Sequence, residues 1–303
     1  MSLTQSGIPM ARVPASTDPD GPITGSKRRK VGRERPNWLA GVLALVWFVV
    51  VMVPLYYLIS GSLRTRQDYL TDNPLKLPSS PTLENYQSVF DGGFGRYFLN
   101  NVIVTVGTVL IVVLLTVPAA YSVARNASPA VQRGFSIMLI GLAVPAQAVI
   151  IPVLLLINQL HLYDTLLAII LPTAAFALPV SMLVMTNSLR DIPNELYEAQ
   201  TLDGATAFGV LRNLVLPLAK PAVTTVAVFT AMGAWNGYLF PLVLTQSAEQ
   251  RTLTLGLTTF QSQFGTNVPG LLAAVTLSMV PIFAVYLFGR RYLLSGLTAG
   301  FGK

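Results

Sequence analysis

The stretch Tyr97–Ala124, YFLNNVIVTVGTVLIVVLLTVPAAYSVA, contains no Asp, Glu, Lys or Arg, and it decides the fold class. An α-helix rises about 1.5 Å per residue, so about 20 apolar residues cover the hydrocarbon core of a bilayer, where lipid offers no partner to an unpaired backbone group. A run this long and uncharged reads as a membrane-crossing helix. Five further runs pass the same test: Trp38–Leu63, Gly134–His161, Thr165–Leu189, Pro221–Glu249, charged only at its last residue, and Thr252–Gly289. The last is too long for one crossing, so its helix is placed at Val268–Gly289 and Thr252–Asn267 is expected to form a polar outer loop. The expected fold class is all-α, a polytopic membrane protein with six transmembrane helices. Composition agrees, with 52% hydrophobic and 11% charged residues against roughly 25% charged in a soluble domain.

Lys and Arg concentrate in the loops that stay in the cytoplasm. The segments before Trp38, across Arg125–Arg133, across Arg190–Lys220 and from Arg290 onward hold fifteen of the 20 basic residues; the alternate segments hold Arg64, Arg66, Lys76, Arg96 and Arg251. Both termini are therefore expected in the cytoplasm. The expected order is a disordered basic tail over 1–37, a first transmembrane helix over 38–60 and an extracytoplasmic segment over 61–96. A membrane core over 97–289 follows, with a cytoplasmic loop at 190–217, and then a cytoplasmic tail over 290–303. The tail before Trp38 is rich in Pro, Ser and Gly and has no apolar h-region, so the first span reads as an uncleaved anchor held inside by Lys27-Arg28-Arg29-Lys30.

Several function classes drop out. The net charge of +7 comes from residues lying between apolar runs, without the basic face of a nucleic-acid binder. With no Cys and a single His, His161, there is no thiol nucleophile, disulfide framework or metal cluster. No catalytic triad or paired-carboxylate site is recognisable. No charged side chain falls mid-span, which argues against proton coupling or a charged ion filter.

Uncharged polar residues do fall within the spans. Asn101, Gln147, Asn187 and Asn236 could hydrogen-bond a neutral solute or join helices, and joining is the commoner use. Gln147 and Asn236 are the substrate-pathway candidates. Trp235 and Tyr238 are expected at the outer end of the fifth span, as aromatic-belt anchors or as gate residues. Prolines recur in the spans, among them Pro118, Pro145, Pro172, Pro179 and Pro281, and each removes a backbone donor and bends its helix.

The loop Arg190-Asp-Ile-Pro-Asn-Glu-Leu-Tyr-Glu-Ala-Gln-Thr-Leu-Asp-Gly-Ala-Thr, continuing to Leu216-Pro217, reads as two short helices around a glycine. Pro193 suits a first helical turn, and Glu195 and Glu198 complement the helix dipole. Gly204 can take a positive φ and end the helix; Thr206 can cap the next. Leu196 and Ala199 share a face at i, i+3 spacing. The product is a compact knob with an apolar patch and an acidic rim that includes Asp203, suited to docking in another protein's groove.

This loop resembles the signature of binding-protein-dependent ABC importer permeases: Glu-Ala-Ala, three residues, Gly, nine residues, then Ile-x-Leu-Pro. Glu198, Ala199, Gly204, Leu216 and Pro217 occupy matching places; Gln200 replaces the second Ala and Leu214 the Ile. Trp235-Asn236-Gly237-Tyr238-Leu239-Phe240-Pro241-Leu242 and the ending Gly296-Leu297-Thr298-Ala299-Gly300-Phe301-Gly302-Lys303 look like the carbohydrate branch, specifically the maltose-type second permease subunit. The resemblance implies an ATPase-coupling role for Glu195, Glu198, Ala199, Asp203, Gly204 and Pro217, and a tail, Gly302 and Lys303, that reaches toward the ATPase. It implies a second permease subunit, two ATPase subunits and an extracytoplasmic solute-binding protein as partners. The location implied is the bacterial cell (inner) membrane. ATP and Mg would be used by the partner ATPase, with no cofactor bound by this chain, because Gly302-Lys303 lacks the spacing and the Ser or Thr of a phosphate-binding loop. The solute implied is a sugar or oligosaccharide. An importer of the same build for another solute, such as an amino acid or osmolyte, and a stand-alone secondary transporter are the competing readings.

Overall fold

The computed structural model describes residues 38–126, 128–262 and 265–299. The chain divides into two units, Met1–Phe48 and Val49–Lys303. In the first, the described part is the opening of helix α1 (Trp38–Ser62), whose apolar side chains from Trp38 to Phe48 are all exposed. Apolar surface this continuous on a helix suits a lipid environment.

In the second unit α1 ends on a buried Ser60–Ser62 and the chain forms two short helices, α2 (Arg66–Thr71) and α3 (Glu84–Asp91). Arg64, only 2% exposed, organises this segment by donating to the carbonyls of Asn73, Pro74 and Lys76. A buried guanidinium must have its donors occupied, and here backbone oxygens do it. Asn85 ties the segment back to α1 by donating to the Ser62 and Arg64 carbonyls at 2.9 and 2.7 Å.

Helix α4 (Phe94–Arg125) is longer than the crossing predicted from Tyr97 to Ala124, at 32 residues or about 48 Å. The single third span expected over Gly134–His161 is broken. α5 (Pro129–Ile140) and a 3-10 turn give way at Val144 and Pro145 to a second 3-10 turn and α6 (Ile150–Gln159), and the halves meet at 95°. Proline forces its predecessor out of the helical region, and Val144 sits at φ −90°, ψ 110°. α7 (Leu166–Arg190) is a continuous helix despite Pro172 and Pro179, capped by Thr165, which accepts from the Ala168 N–H.

After α7 the chain forms α8 (Asn194–Leu202), α9 (Ala207–Val210), a π-helical turn at Leu211–Val215 and α10 (Leu216–Leu218); it then bends 76° into α11 (Lys220–Trp235). The fifth span does not run unbroken to Glu249 as expected. It stops at Trp235, loses helical form across Asn236–Tyr238, and resumes as α12 (Leu239–Leu244). Thr252–Asn267 is not a simple polar loop either. It holds α13 (Leu253–Gly256), a 3-10 turn and a minimal antiparallel pair, β1 (Gln261–Ser262) with β2 (Gly265–Thr266), and it buries Leu253, Leu255 and Gly256. Apart from that pair, the described residues are helical or loop. α14 (Val268–Ala299) continues past its expected end at Gly289.

Among the described residues α1, α4 and α7 are long and apolar enough to cross a bilayer, each bent pair adds one crossing if counted as a single span, and Val268–Ala284 is a shorter apolar helix. α4 and α7 form the centre of the second unit, with Val112, Ala120, Ala174, Met182, Met185 and Leu189 buried between them, and small Thr108, Thr116, Ser181 and Thr186 also inside. In lipid, side-chain size decides how closely helices approach, which favours small residues at the contact. α11 joins through Asn101, whose amide donates to the Trp235 carbonyl at 3.2 Å, so this Asn does join helices. Trp235 is not a belt residue. It is 8% exposed, meets Phe98 edge to face at 5.8 Å and donates its indole N–H to the Ser278 carbonyl. Just before α7, Asp164 accepts from the Gln246 and Ser247 N–H groups and the Ser247 hydroxyl, pinning the chain after α12 to the α6–α7 connection.

Candidate functional site

The knob read from the sequence is present as a helix–turn–helix. Pro193 is the residue before α8 rather than within its first turn, and Glu195 lies in that turn, beside the positive end of the helix dipole. Gly204 adopts φ +76°, which a side chain would resist, and the Ala205 N–H reaches back to the Gln200 carbonyl at 2.9 Å to close the helix end. Thr206 caps α9 by accepting from the Gly209 N–H at 3.2 Å. Glu195, Glu198, Ala199, Asp203 and Gly204 are thus brought together on one exposed element, with Leu196, Leu202 and Phe208 as its exposed apolar patch. Among the described residues none of the three carboxylates has an ion-pair partner. Pro217 does not join them; it stands in α10, beyond the π turn and next to the 76° bend. Gly302 and Lys303 lie outside the described residues.

What holds the knob was not evident in the sequence. Tyr197 turns inward from α8, 5% exposed, and stacks on Tyr121 of α4 with ring centroids 6.1 Å apart and planes 17° apart. The Arg125 guanidinium lies 3.9 Å above the Tyr197 ring and also donates to the Asn194 side chain. Burial pushes the Tyr197 hydroxyl above its ordinary pKa, opposed by Arg125. A cavity of about 470 Å³ lined by Tyr121, Arg125, Tyr197 and Glu198 adjoins this joint. The sequence signal was a single aromatic, Tyr197 in NELYEAQTL, placed between the carboxylates of a short helix.

The two substrate-pathway candidates are separated. Gln147 lines a cavity of about 310 Å³ that includes Thr173, Phe176, Thr230 and Tyr238. Asn236 lines a different cavity of about 250 Å³ beside Thr254 and Ser278, and its amide donates to the Met232 carbonyl of its own helix at 2.9 Å. The first cavity collects residues from both helix breaks, Gln147 just after Pro145 and Tyr238 just after Gly237. The Asn-Gly pair at 236–237 was a readable breaker signal.

Residues 116–298, which include α7, the knob and both sides of the second break, match the family described as "Binding-protein-dependent transport system inner membrane component". The chain belongs to this family. Members of the binding-protein-dependent transport family are membrane transport subunits that rely on a separate ATPase, so this chain is a multi-pass permease and not an enzyme. It is 34% identical over 268 residues to the "Putative ABC transporter permease protein ORF2" of Caldicellulosiruptor sp. (strain Rt8B.4), covering 88% of this chain and 97% of the relative. It is 31% identical over 265 residues to the "Diacetylchitobiose uptake system permease protein NgcG" of Streptomyces coelicolor, covering 86% and 87%. The fold is similar to that of a chain in a bacterial ABC transporter involved in the import of the acidic polysaccharide alginate, with a TM-score of 0.75 and 24% identity over 84% of this chain and 95% of that one.

Proposed function

We propose that this permease imports a sugar or oligosaccharide, driven by ATP and dependent on a solute-binding protein, with six spans and both termini in the cytoplasm of a bacterial cell whose inner membrane it occupies. The observation that carries the reading is the knob, an exposed acidic rim, without an ion-pair partner among the described residues, and an apolar patch on α8 and α9, fastened to the end of α4 by Tyr197. An element fastened on one side and open on the other transmits a push from a docked partner to the helix behind it. Glu195, Glu198, Ala199, Asp203 and Gly204 form the docking face, and Pro217 marks the bend that carries motion into α11. The Gly302–Lys303 tail is a second ATPase contact. ATP and Mg are used by two partner ATPase subunits, and a second permease and an extracytoplasmic binding protein complete the assembly.

Coupling requires the knob to make different contacts in the ATP-bound and ATP-free states, since a partner with equal affinity for both cannot shift them. The sugar assignment is supported by the diacetylchitobiose relative and the absence of charge inside the spans. The test is affinity purification of the tagged protein from gentle detergent with mass spectrometry of its companions. Recovery of a second permease, an ATPase and a sugar-binding protein is expected; purification as a lone, transport-competent species would overturn the reading.

A further inference from the structure

The cavity between the two helix breaks has features that ATPase coupling does not call for. Gln147 enters from the α5–α6 break, Tyr238 from the α11–α12 break, Thr173 and Phe176 from the middle of α7, Thr230 from α11 and Phe240 from α12. Irregular backbone is tolerated at membrane depth only where protein or a cavity covers it, and broken helices gather at solute sites for that reason. Among the described residues no Asp, Glu, Lys, Arg or His lines the space. Phe176 and Phe240, with centroids 5.7 Å apart, form an aromatic wall.

Of the four polar side chains that line it, Thr173 is spent within its own helix and Gln147, Thr230 and Tyr238 are not. Thr173, Thr224 and Thr225 each donate to the carbonyl four residues back. Thr230, on the same helix as the last two and 2% exposed, does not, and its hydroxyl has no partner among the described residues. A buried hydroxyl left unpaired is costly, and natural structures rarely leave one without a reason. The Gln147 and Tyr238 side chains are exposed, have no hydrogen-bond partner among the described residues and are open to a solute. Aromatic faces for C–H groups, with amide and hydroxyl groups for ring hydroxyls, are the chemistry that recognises a sugar. At about 310 Å³ the space is at the small end of ligand sites, suited to one ring rather than a chain of them.

We propose that this cavity binds one uncharged sugar ring of the passing solute, so that this subunit itself contacts substrate and discriminates against uronic acids. A carboxylate here would be buried with no compensating charge. The proposal rests on the sugar-importer reading.

The chain has no Cys, so single-cysteine variants need no background change. In the complete importer, reconstituted with its partners in vesicles, ATP-driven uptake of diacetylchitobiose and other neutral oligosaccharides identifies a transported probe. That probe should slow maleimide labelling of Gln147→Cys at least fivefold, whereas a uronic-acid oligosaccharide should not, and labelling of Asn187→Cys, exposed and away from the cavity, should be unaffected. Thr230→Val and Phe176→Ala should raise the KM for uptake about tenfold, as expected for loss of one contact, with binding-protein-stimulated ATP hydrolysis unchanged. Unprotected Gln147→Cys, equal protection of Asn187→Cys, a wild-type KM, or parallel loss of ATP hydrolysis in both variants would each overturn the cavity assignment while leaving the importer reading in place. Failure of the wild-type assembly to take up any neutral sugar would remove both.

Discussion

Truncating Tyr197 to alanine should uncouple ATP hydrolysis from transport. The ring is 5% exposed, stacked on Tyr121 at 6.1 Å and covered by Arg125 at 3.9 Å. Stacking of this kind contributes about 1 kcal/mol, and a partly exposed cation over the ring about 0.5–1 kcal/mol. Lost burial raises the total, and loss of a large buried aromatic costs about 3–5 kcal/mol in full cores. Because α8 stands at the edge of the packed region, about 3 kcal/mol is the appropriate figure, a shift of about a hundredfold between fastened and released knob. Tyr197→Phe keeps the ring and removes a buried hydroxyl that has no partner among the described residues, so its cost should be near zero. In vesicles carrying the full assembly, Tyr197→Ala should insert normally and hydrolyse ATP while uptake per ATP falls at least tenfold; Tyr197→Phe should behave as wild type. Wild-type coupling in Tyr197→Ala, or equal damage in Tyr197→Phe, would refute the idea that the stacked ring transmits the movement.

Glu198→Arg should leave the protein inserted and abolish uptake, because it reverses charge at the centre of the exposed rim; normal uptake in membrane vesicles would sink the docking assignment. Asp164 is held below the usual carboxylate range chiefly by the Gln246 N–H, helped by the Ser247 N–H and hydroxyl and opposed by burial. Since its folded pKa is lowered, the clamp stabilises above the unfolded value, about 3.9, and the gain is lost as pH falls through the lowered folded value. Thermal unfolding in detergent should therefore show Asp164→Asn less stable than wild type at pH 7, with the gap closing toward pH 3; a gap independent of pH would contradict this. Gly256→Ala would place a Cβ 2.4 Å from Cδ2 of the buried Tyr97 ring, and overpacking of this kind costs about 1–3 kcal/mol. A melting temperature lower by several degrees is expected, and an unchanged one would mean that Tyr97 moves freely.

The knob was legible because its geometry is local. Gly204, Thr206 and the acidic first turn each act on backbone groups within four residues, so the order of residue types carries the shape. Length and apolarity make the third and fifth spans look continuous; Pro145 signals a bend but not a 95° break, and Asn236-Gly237 is the signal of the second break. Trp235 was misplaced for a related reason: its type suits an interface belt, and only its neighbours Phe98 and Ser278 show that it is core.

Sequence by itself determined that this chain lives in lipid, because backbone groups without water must be paired within a helix, and that the loop after α7 folds as a short helix–turn–helix, because its caps and its glycine act locally. Tertiary structure alone decided which apolar faces meet protein, since lipid and a neighbouring helix are equally apolar and hydropathy cannot tell them apart. It also decided what meets across distance: Tyr121 and Arg125 under Tyr197, and Gln147, Thr230 and Tyr238 around one cavity. Those contacts depend on the crossing of helices far apart in the chain, which short-range chemistry does not encode.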